Sequence, residues 1–333
     1  MGKKVIKNKN IVVTGGCGFI GSHLVEMLIK SGNKVKCFDR YNPNNDWGWL
    51  ENSDVKEDLE VVLGDIRDYD SVSKAIKGTD IVFHLAALIG IPYSYVSPLA
   101  YIRTNIEGTF NVLESAKNEG IEQTLITSTS ETYGSAQYVP IDEDHPLVGQ
   151  SPYSASKIAA DQITTSYFKS FELQIKTVRP FNTFGPRQSS RAIIPTIISQ
   201  ILKNDGRITL GSLSPTRDLT YVEDTCRGFV AIAESDDLFG EAVNIGTNSE
   251  ISIRALIEKI SNLMQVEVKI NIDNNRVRPE GSEVDRLVCE NKKILSKTDW
   301  TPTFTLEQGL IQTIDWLKTI DIDSLYKPNQ YNV

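Results

Sequence analysis

Between Thr127 and Lys157 the chain reads TSTSETYG, then a loop, then SPYSASK. That segment holds a carboxylate (Glu131), a phenol (Tyr153) and an ammonium (Lys157), with the hydroxyls of Thr129 and Ser130 beside the carboxylate. Such a set can deprotonate an alcohol and a carbon acid in one pocket, provided that a hydride acceptor lies nearby. On a helix, Tyr153 and Lys157 face the same side. A free phenol titrates at about 10, and keeping it ionised at neutral pH takes about 4 kcal/mol of differential stabilisation. A lysine one turn away contributes to it. The plain alternative for Glu131 is a solvated loop charge.

The acceptor is written near the start, in IVVTGGCGFIGSH. Gly15, Gly18 and Gly21, with Phe19 and Ile20 among them, stand between a β-branched run and a helix. Glycines there allow a tight turn and a close approach of backbone to a pyrophosphate at the helix N-terminus. The next strand ends in Asp39, the acid expected to bind a ribose diol while repelling a 2′-phosphate. That selects NAD over NADP, with only the neighbouring Arg40 speaking against it. Asp65 and Ile66 in GDIRD end a strand and are expected to border the adenine. Leu85, Ala86 and Ala87 end another, and their small side chains let a cofactor lie close; plain core packing is the alternative. Lys157 is expected to bind the nicotinamide ribose as well.

These residues need a scaffold that brings strand ends together. Short β-branched runs alternate with amphipathic stretches through the first half, the pattern of a doubly wound parallel (Rossmann) α/β sheet. Strands are expected at Ile11–Thr14, Lys34–Asp39, Leu59–Leu63, Ile81–Leu85, Thr124–Thr127 and Ile175–Arg179. Helices are expected at His23–Ser31, Ser71–Ile76, Ile106–Asn118 and Tyr153–Lys169. After Pro180 the rhythm breaks into turns, a helix at Ile193–Leu202 and a strand at Ile208–Gly211. TRDLTYVEDTCRGFVAIAE then reads as a strand and helix returning to the first lobe. This predicts a cofactor domain of residues 1–180 plus about 217–247. A smaller discontinuous α/β lobe for substrate takes about 181–216 plus 248–333, and 320–333 reads as a trailing segment.

Composition excludes several classes. Of 333 residues, 40% are hydrophobic and 23% charged, ordinary for a soluble globular enzyme. The net charge of −8 offers no basic stripe for nucleic acid, though a few local arginines suffice for a small anionic ligand. No apolar run reaches membrane-spanning length, and the basic start lacks an apolar region with a cleavage site, so a cytoplasmic protein is expected. Cys17, Cys37, Cys226 and Cys289 are scattered and the three histidines are unpaired, so no metal site is expected.

With these residues in view, the sequence resembles the extended short-chain dehydrogenase/reductase family. The resemblance runs over nearly the whole chain, through TGGCGFIG, HLAA, TSTSETYG, YSASK, RPFNTFGPR and RDLTYVED. It implies bound NAD, a nucleotide-sugar substrate oxidised at its 4-hydroxyl, and a homodimer through the helices Ile106–Asn118 and Tyr153–Lys169. Asn105 joins the cofactor-binding set. Glu131 resembles the carbon base of the sugar 4,6-dehydratases, where simple 4-epimerases have a small or apolar residue. The Thr129-Ser130-Glu131 order is similar to GDP-mannose 4,6-dehydratases and also to UDP-glucuronate decarboxylases. VRPEGSEVDRL, with Arg278, resembles the corresponding segment of the GDP-mannose enzymes, and the run ETYGSAQYVPIDEDHPLVGQSPYSASK, with SRAIIPTII and LSPTRD, looks closest to the nucleotide-activated N-acetylglucosamine 4,6-dehydratases of legionaminic acid biosynthesis.

Asn182, Ile193, Arg217 and Arg278 are the expected substrate contacts, with guanidinium forks matching a diphosphate. Arg191 is expected instead to be a surface ion pair. The implied reaction is C4 oxidation assisted by Tyr153, proton removal from C5 by Glu131, loss of the C6 oxygen as water with Ser130 or Glu131 as proton source, and hydride return. The nucleotide base, GDP or UDP, stays open at this level. So do UDP-glucuronate decarboxylation and 4-epimerisation. A non-catalytic NAD-binding regulator would have no need of Glu131, Tyr153 and Lys157 together.

Overall fold

Runs such as IVVT and IVFH, apolar without alternation, suit strands covered on both faces, and they build a parallel sheet. The computed structural model describes residues 5–331. Its strands begin with β1 (Asn10–Thr14), β2 (Lys34–Arg40), β3 (Leu59–Gly64), β4 (Ile81–His84), β5 (Gln123–Thr127) and β6 (Ile175–Pro180). There follow β7 (Asn182–Phe184), β8 (Arg207–Leu210), β9 (Thr216–Tyr221), β10 (Ala242–Ile245), β11 (Glu250–Ser252), β12 (Lys269–Ile272) and β13 (Arg286–Leu287). One seven-stranded sheet runs in the order β10-β6-β5-β4-β1-β2-β3. Every pairing in it is parallel. The strand order reverses between β1 and β4, so the crevice at their carboxyl ends is the place for a ligand.

The helices of the first half are α1 (Phe19–Lys30), α2 (Tyr69–Ile76), α3 (Ile91–Val96), α4 (Pro98–Tyr101), α5 (Gly108–Glu119) and α6 (Pro152–Phe171). Those of the second are α7 (Ile193–Lys203), α8 (Val222–Glu234), α9 (Ile253–Met264), α10 (Lys292–Lys297), α11 (Leu306–Thr319) and α12 (Ile322–Leu325). The smaller lobe centres on β9, which pairs antiparallel with β11 and parallel with β7 and β13. A separate parallel pair joins β8 to β12. After β6 the chain leaves the large sheet for β7 to β9, returns with α8 and β10, and leaves again. A single apolar core reaches from Val13, Phe83 and Leu125 to Ile197, Leu256 and Leu310 and so runs through both lobes.

The six expected strands of the first half appear with ends moved by no more than a residue or so. Larger differences have local causes. α1 starts at Phe19 instead of His23, because the glycine turn passes directly into the helix. α5 starts at Gly108, since Ile102–Glu107 forms a π-helical turn in place of the expected helix start. α3 and α4 were not expected at all from IPYSYVSPLAY, where prolines and serines mask short helices that each begin on a proline turn. The segment TRDLTYVED splits: α8 packs on α1 and β6 of the large lobe, while its strand β9 belongs to the small one. β10, within EAVNIG, is a seventh strand of the large sheet that had no counterpart in the sequence reading.

All four cysteines are buried and free. Among the described residues no helix is long and apolar enough to cross a membrane, and no cluster of His, Cys, Asp and Glu could hold a metal.

A Cβ on Gly21 would stand 2.1 Å from the Gly15 carbonyl oxygen, backbone against backbone. Gly21→Ala is therefore expected to push α1 off the turn and cost about 1–3 kcal/mol. Urea unfolding reads this directly, and an unchanged midpoint would mean that the turn is pliable.

Candidate active site

β5 ends at Thr127 and leads into a tight 3-10 turn, Ser130–Tyr133, capped by Thr129, whose Oγ1 accepts from the Glu131 N–H at 3.3 Å. Thr132 Oγ1 donates back to the Thr129 carbonyl at 2.7 Å. Closed by its own hydroxyls, the turn holds Ser130 and Glu131, both nearly buried, beside α6. The start of α6 is fixed just as firmly. Ser151 Oγ accepts from the Ser154 N–H at 3.1 Å, Ser154 Oγ accepts from the Ser151 N–H at 3.0 Å, and Pro152 takes the first helical position.

Tyr153 is buried next to that cap, with its ring edge-on to Tyr101 and centroids 6.2 Å apart. Burial pushes its phenol well above the usual value; a hydrogen bond from Thr129 opposes this, and the Glu131 charge adds to it. Lys157 Nζ donates to the Thr127 carbonyl at 2.6 Å. Burial pulls this ammonium down to about 8, and the Asp161 carboxylate one turn further along α6 partly holds it up. Asp161 Oδ2 also accepts from Ser128 Oγ at 2.7 Å and from Arg179 Nη2 at 2.9 Å. Arg179 Nη1 in turn donates to the Tyr133 hydroxyl at 3.0 Å, at the end of the turn that carries Glu131.

The glycine turn forms a cradle bare of side chains. Gly15 has φ +72°, and a Cβ there would meet Ala86 N at 2.8 Å. Gly18 caps α1 without a side-chain hydrogen bond, which leaves first-turn N–H groups for an anion. Phe19 and Ile20 begin the helix and pack on the core. Asp39 Oδ2 accepts from the Cys17 N–H at 2.8 Å, so the acid at the end of β2 steadies the turn while standing where a ribose would lie. Ala86 N–H donates to Thr14 Oγ1 at 3.2 Å, and Leu85 and Ala87 flank it at the end of β4. Asp65 accepts from Arg67 Nε at 2.9 Å, and that guanidinium holds its carboxyl below the usual range. Ile66 is buried, with its carbonyl taking Asn111 Nδ2 at 3.0 Å. A bare turn, open helix N–H groups and an acid at the second strand end fit a dinucleotide.

Asn105 is placed differently from the other cofactor candidates. Buried on the π-helical turn, it spends its side chain inside the protein. Its Oδ1 accepts from the Leu88 N–H at 2.9 Å, and Nδ2 donates to the Leu88 carbonyl at 3.0 Å and to Ser156 Oγ at 2.9 Å. It ties the loop after β4 to α6. Behind it, Thr109 Oγ1 donates to the Asn105 carbonyl at 2.6 Å. The single hydroxyl proton of Thr109 being used, His84 Nε2 must donate to Thr109 at 3.1 Å, and Nδ1 accepts from Thr14 Oγ1 at 2.7 Å. Burial, then the nearby Lys157 charge, lowers His84 to about 3, so the link from the glycine cradle through Thr109 and Asn105 toward α6 is a neutral imidazole.

A cavity of about 300 Å³ carries Glu131, Asn182, Ile193, Arg217 and Arg278 on its wall. Asn182 heads β7, Ile193 starts α7 and Arg217 lies on β9, so three separate elements converge there. Arg191, exposed as expected of a surface charge, also reaches the rim of this cavity just ahead of α7. Glu283 Oε1 lies 3.6 Å from Arg217 Nη2 and 3.6 Å from Arg278 Nη1, so both guanidinium groups share one carboxylate. Burial lowers Arg217 from its ordinary value, and Glu131 is the first charge to oppose that. Asn182 Oδ1, Gln188 Oε1, Arg276 Nε and Arg278 Nη1 line the cavity and are buried without hydrogen-bond partners. Orphan donors and acceptors concentrated in one hollow point to a polar ligand.

Sequence reasoning missed Gln188, Arg276, Glu283 and the C-terminal wall of this cavity. The spacing of Arg276 and Arg278 in NNRVRPEGSE was the available signal.

The pattern of the family described as GDP-mannose 4,6 dehydratase matches residues 12–313. UDP-N-acetyl-alpha-D-glucosaminuronate decarboxylase of Bacillus cytotoxicus is 30% identical, over 95% of this chain and 99% of that protein. Two solved structures superpose over most of the chain. The UDP-N-acetylglucosamine 4-epimerase of Methanobrevibacter ruminantium M1, solved with UDP-N-acetylmuramic acid, has a TM-score of 0.84 and 32% identity, covering 94% of this chain and 99% of its own. DesIV, the dTDP-glucose 4,6-dehydratase of Streptomyces venezuelae solved with NAD, has a TM-score of 0.85 and 27% identity, covering 96% of this chain and 100% of its own.

Lys157 has a pH signature. Below pH 8 folded and unfolded chains both carry its charge, so folding bears the whole cost of burying it. Between about 8 and its ordinary 10.5 the folded chain releases the proton first, and that cost fades. In NAD-free protein the wild type should therefore gain stability relative to Lys157→Met as pH rises through this window, read as the difference in urea midpoints. Parallel pH curves would mean that the ammonium is hydrated.

Proposed function

The chain belongs to the GDP-mannose 4,6-dehydratase family of nucleotide-sugar enzymes, and we propose that it is an NAD-dependent 4,6-dehydratase of a nucleotide-diphospho-hexose. The substrate we favour is GDP- or UDP-N-acetylglucosamine, the product its 4-keto-6-deoxy sugar, and the setting legionaminic acid biosynthesis. One observation carries this reading. Glu131 lies on the cavity wall, is nearly buried, and is close enough to Tyr153 for its charge to act on the phenol. A carboxylate there can remove a proton from carbon, which epimerisation at C4 does not need.

Gly15, Gly18, Phe19, Ile20 and Gly21 would hold the pyrophosphate of NAD, Asp39 a ribose diol, Asp65 and Ile66 the adenine end, and Leu85 to Ala87 the middle, with Asn105 fixing that loop. When bound, NAD would supply the hydride acceptor at C4 and the hydride for C6, with no net consumption. Tyr153 accepts the O4 proton, and Lys157 together with the cofactor's positive charge lowers the phenol to where it can do so. Thr129 orients O4 through the hydroxyl that already bonds Tyr153. With a ketone at C4, the C5 proton becomes acidic and Glu131 removes it. The C6 oxygen leaves as water, protonated by Ser130 or by Glu131. Arg217 and Arg278 take the diphosphate in place of Glu283, with Asn182 and Ile193 beside it.

We assign residues 1–180 plus about 217–247 to the cofactor and the remainder to the sugar nucleotide, except that β9 pairs within the small lobe. A homodimer through α5 and α6 is part of the same reading, supported by exposed Leu99, Ile102, Phe110 and Phe171 on and around these helices. UDP-glucuronate decarboxylation is the second reading. Arg191 also lines the cavity, and a sugar carboxylate would use a cation beyond those that a diphosphate needs.

Incubation with GDP- and UDP-linked sugars should give a product lighter by one water. Loss of carbon dioxide would establish the second reading, and unchanged mass would leave epimerisation. Glu131→Gln should abolish deuterium exchange at C5 while reduced cofactor still accumulates; exchange surviving in that variant would remove Glu131 as carbon base.

A further inference from the structure

Residues 326–331 run along the cavity. Asp323 pairs with Lys203 on α7, and Tyr326, almost fully buried, donates its hydroxyl to the Gln188 carbonyl at 2.6 Å. Asn204 Nδ2 donates to Asn329 Oδ1 at 3.0 Å. Held at these points, the segment places Tyr326, Pro328, Gln330 and Tyr331 on the cavity wall. The Tyr331 ring lies over the Arg276 guanidinium at 5.2 Å and is 42% exposed. That guanidinium is oriented by Nη1 donating to the Thr209 carbonyl at 2.8 Å and by Asp273, 3.4 Å from Nε, yet Nε makes no hydrogen bond.

The cavity has a direction. Glu131 marks the sugar end, and Arg217 is the arginine on which its charge acts. Arg217 and Arg278 meet at Glu283, which marks the diphosphate. Arg276 lies two residues before Arg278 with Val277 extended between them (φ −85°, ψ 129°). Two extended residues span roughly 6–7 Å, about the length of a ribose. The Arg276 backbone lies beside Gly211 on the same wall, where a Cβ on that glycine would stand 2.5 Å from the Arg276 carbonyl oxygen. The group one ribose beyond the diphosphate is the base, and an immobilised guanidinium under a half-open phenol offers it a π-face.

We propose that Arg276 and Tyr331 form the stacking platform for the nucleobase of the sugar nucleotide, with residues 326–331 as its outer wall. The proposal rests on the nucleotide-sugar reading of the cavity. Full-length holoenzyme is titrated calorimetrically with GDP, UDP, deoxythymidine diphosphate and inorganic pyrophosphate, as wild type, Tyr331→Ala, Tyr331→Phe and Arg276→Met. The nucleoside diphosphate that the wild type prefers should bind roughly tenfold more weakly to Tyr331→Ala and Arg276→Met and nearly normally to Tyr331→Phe. Pyrophosphate should bind all four proteins alike, and the preferred base tells purine from pyrimidine. Unchanged nucleoside diphosphate affinity in Tyr331→Ala, or an equal loss for pyrophosphate, overturns the platform while leaving the wild-type preference standing. A wild type that binds no nucleoside diphosphate better than pyrophosphate overturns the reading of the cavity, and the platform with it.

Discussion

Arg179 on β6 and Asp161 on α6 meet at 2.9 Å with 6% and 4% of their side chains exposed. A pair this deep contributes little net stability, since desolvation offsets most of the attraction. What it sets is position. One carboxylate oxygen gathers Arg179 and Ser128, while Oδ1 has no hydrogen-bond partner and leaves its charge to act on Lys157. Through Tyr133 the same guanidinium reaches the turn that bears Glu131, and through the Tyr133 hydroxyl it reaches Asn244 on β10 at 2.7 Å. Tyr153 on α6 and Glu131 on its turn are thus spaced by one buried network.

Elsewhere charge is arranged around an expected guest. The chain carries a net −8, yet arginines from β9, from the stretch before α7 and from the loop after β12 converge on one cavity. Glu283 keeps two of them from repelling each other, at distances too long for tight hydrogen bonds. A diphosphate brings more charge and more acceptors than one carboxylate, so exchange with Glu283 is favourable where simple burial of the cations would not be.

Much of this was legible beforehand because it is local. The glycine turn, the strand-end acids and the spacing of Tyr153 and Lys157 act within one turn or one strand end, so periodicity exposes them. Glu131 was legible for its neighbours' sake, as a carboxylate flanked by hydroxyls. The rest depends on distance in the chain. His84 looks like any core residue until Thr14 and Thr109 close on its two nitrogens. Asn105 is turned inward by a π-helical turn that no periodicity announces. Tyr331 has meaning only beside Arg276, and a trailing polar segment carries no pattern from which to infer that contact.

The path of the chain has a last consequence. Because it leaves the large sheet, comes back for α8 and β10 and leaves again over a continuous core, neither lobe hangs from a single tether. The lobes are woven rather than hinged, which disfavours their swinging apart to trade one dinucleotide for another. An architecture of that kind suits a redox group that is regenerated where it sits, a resident prosthetic group instead of a cosubstrate drawn from the pool.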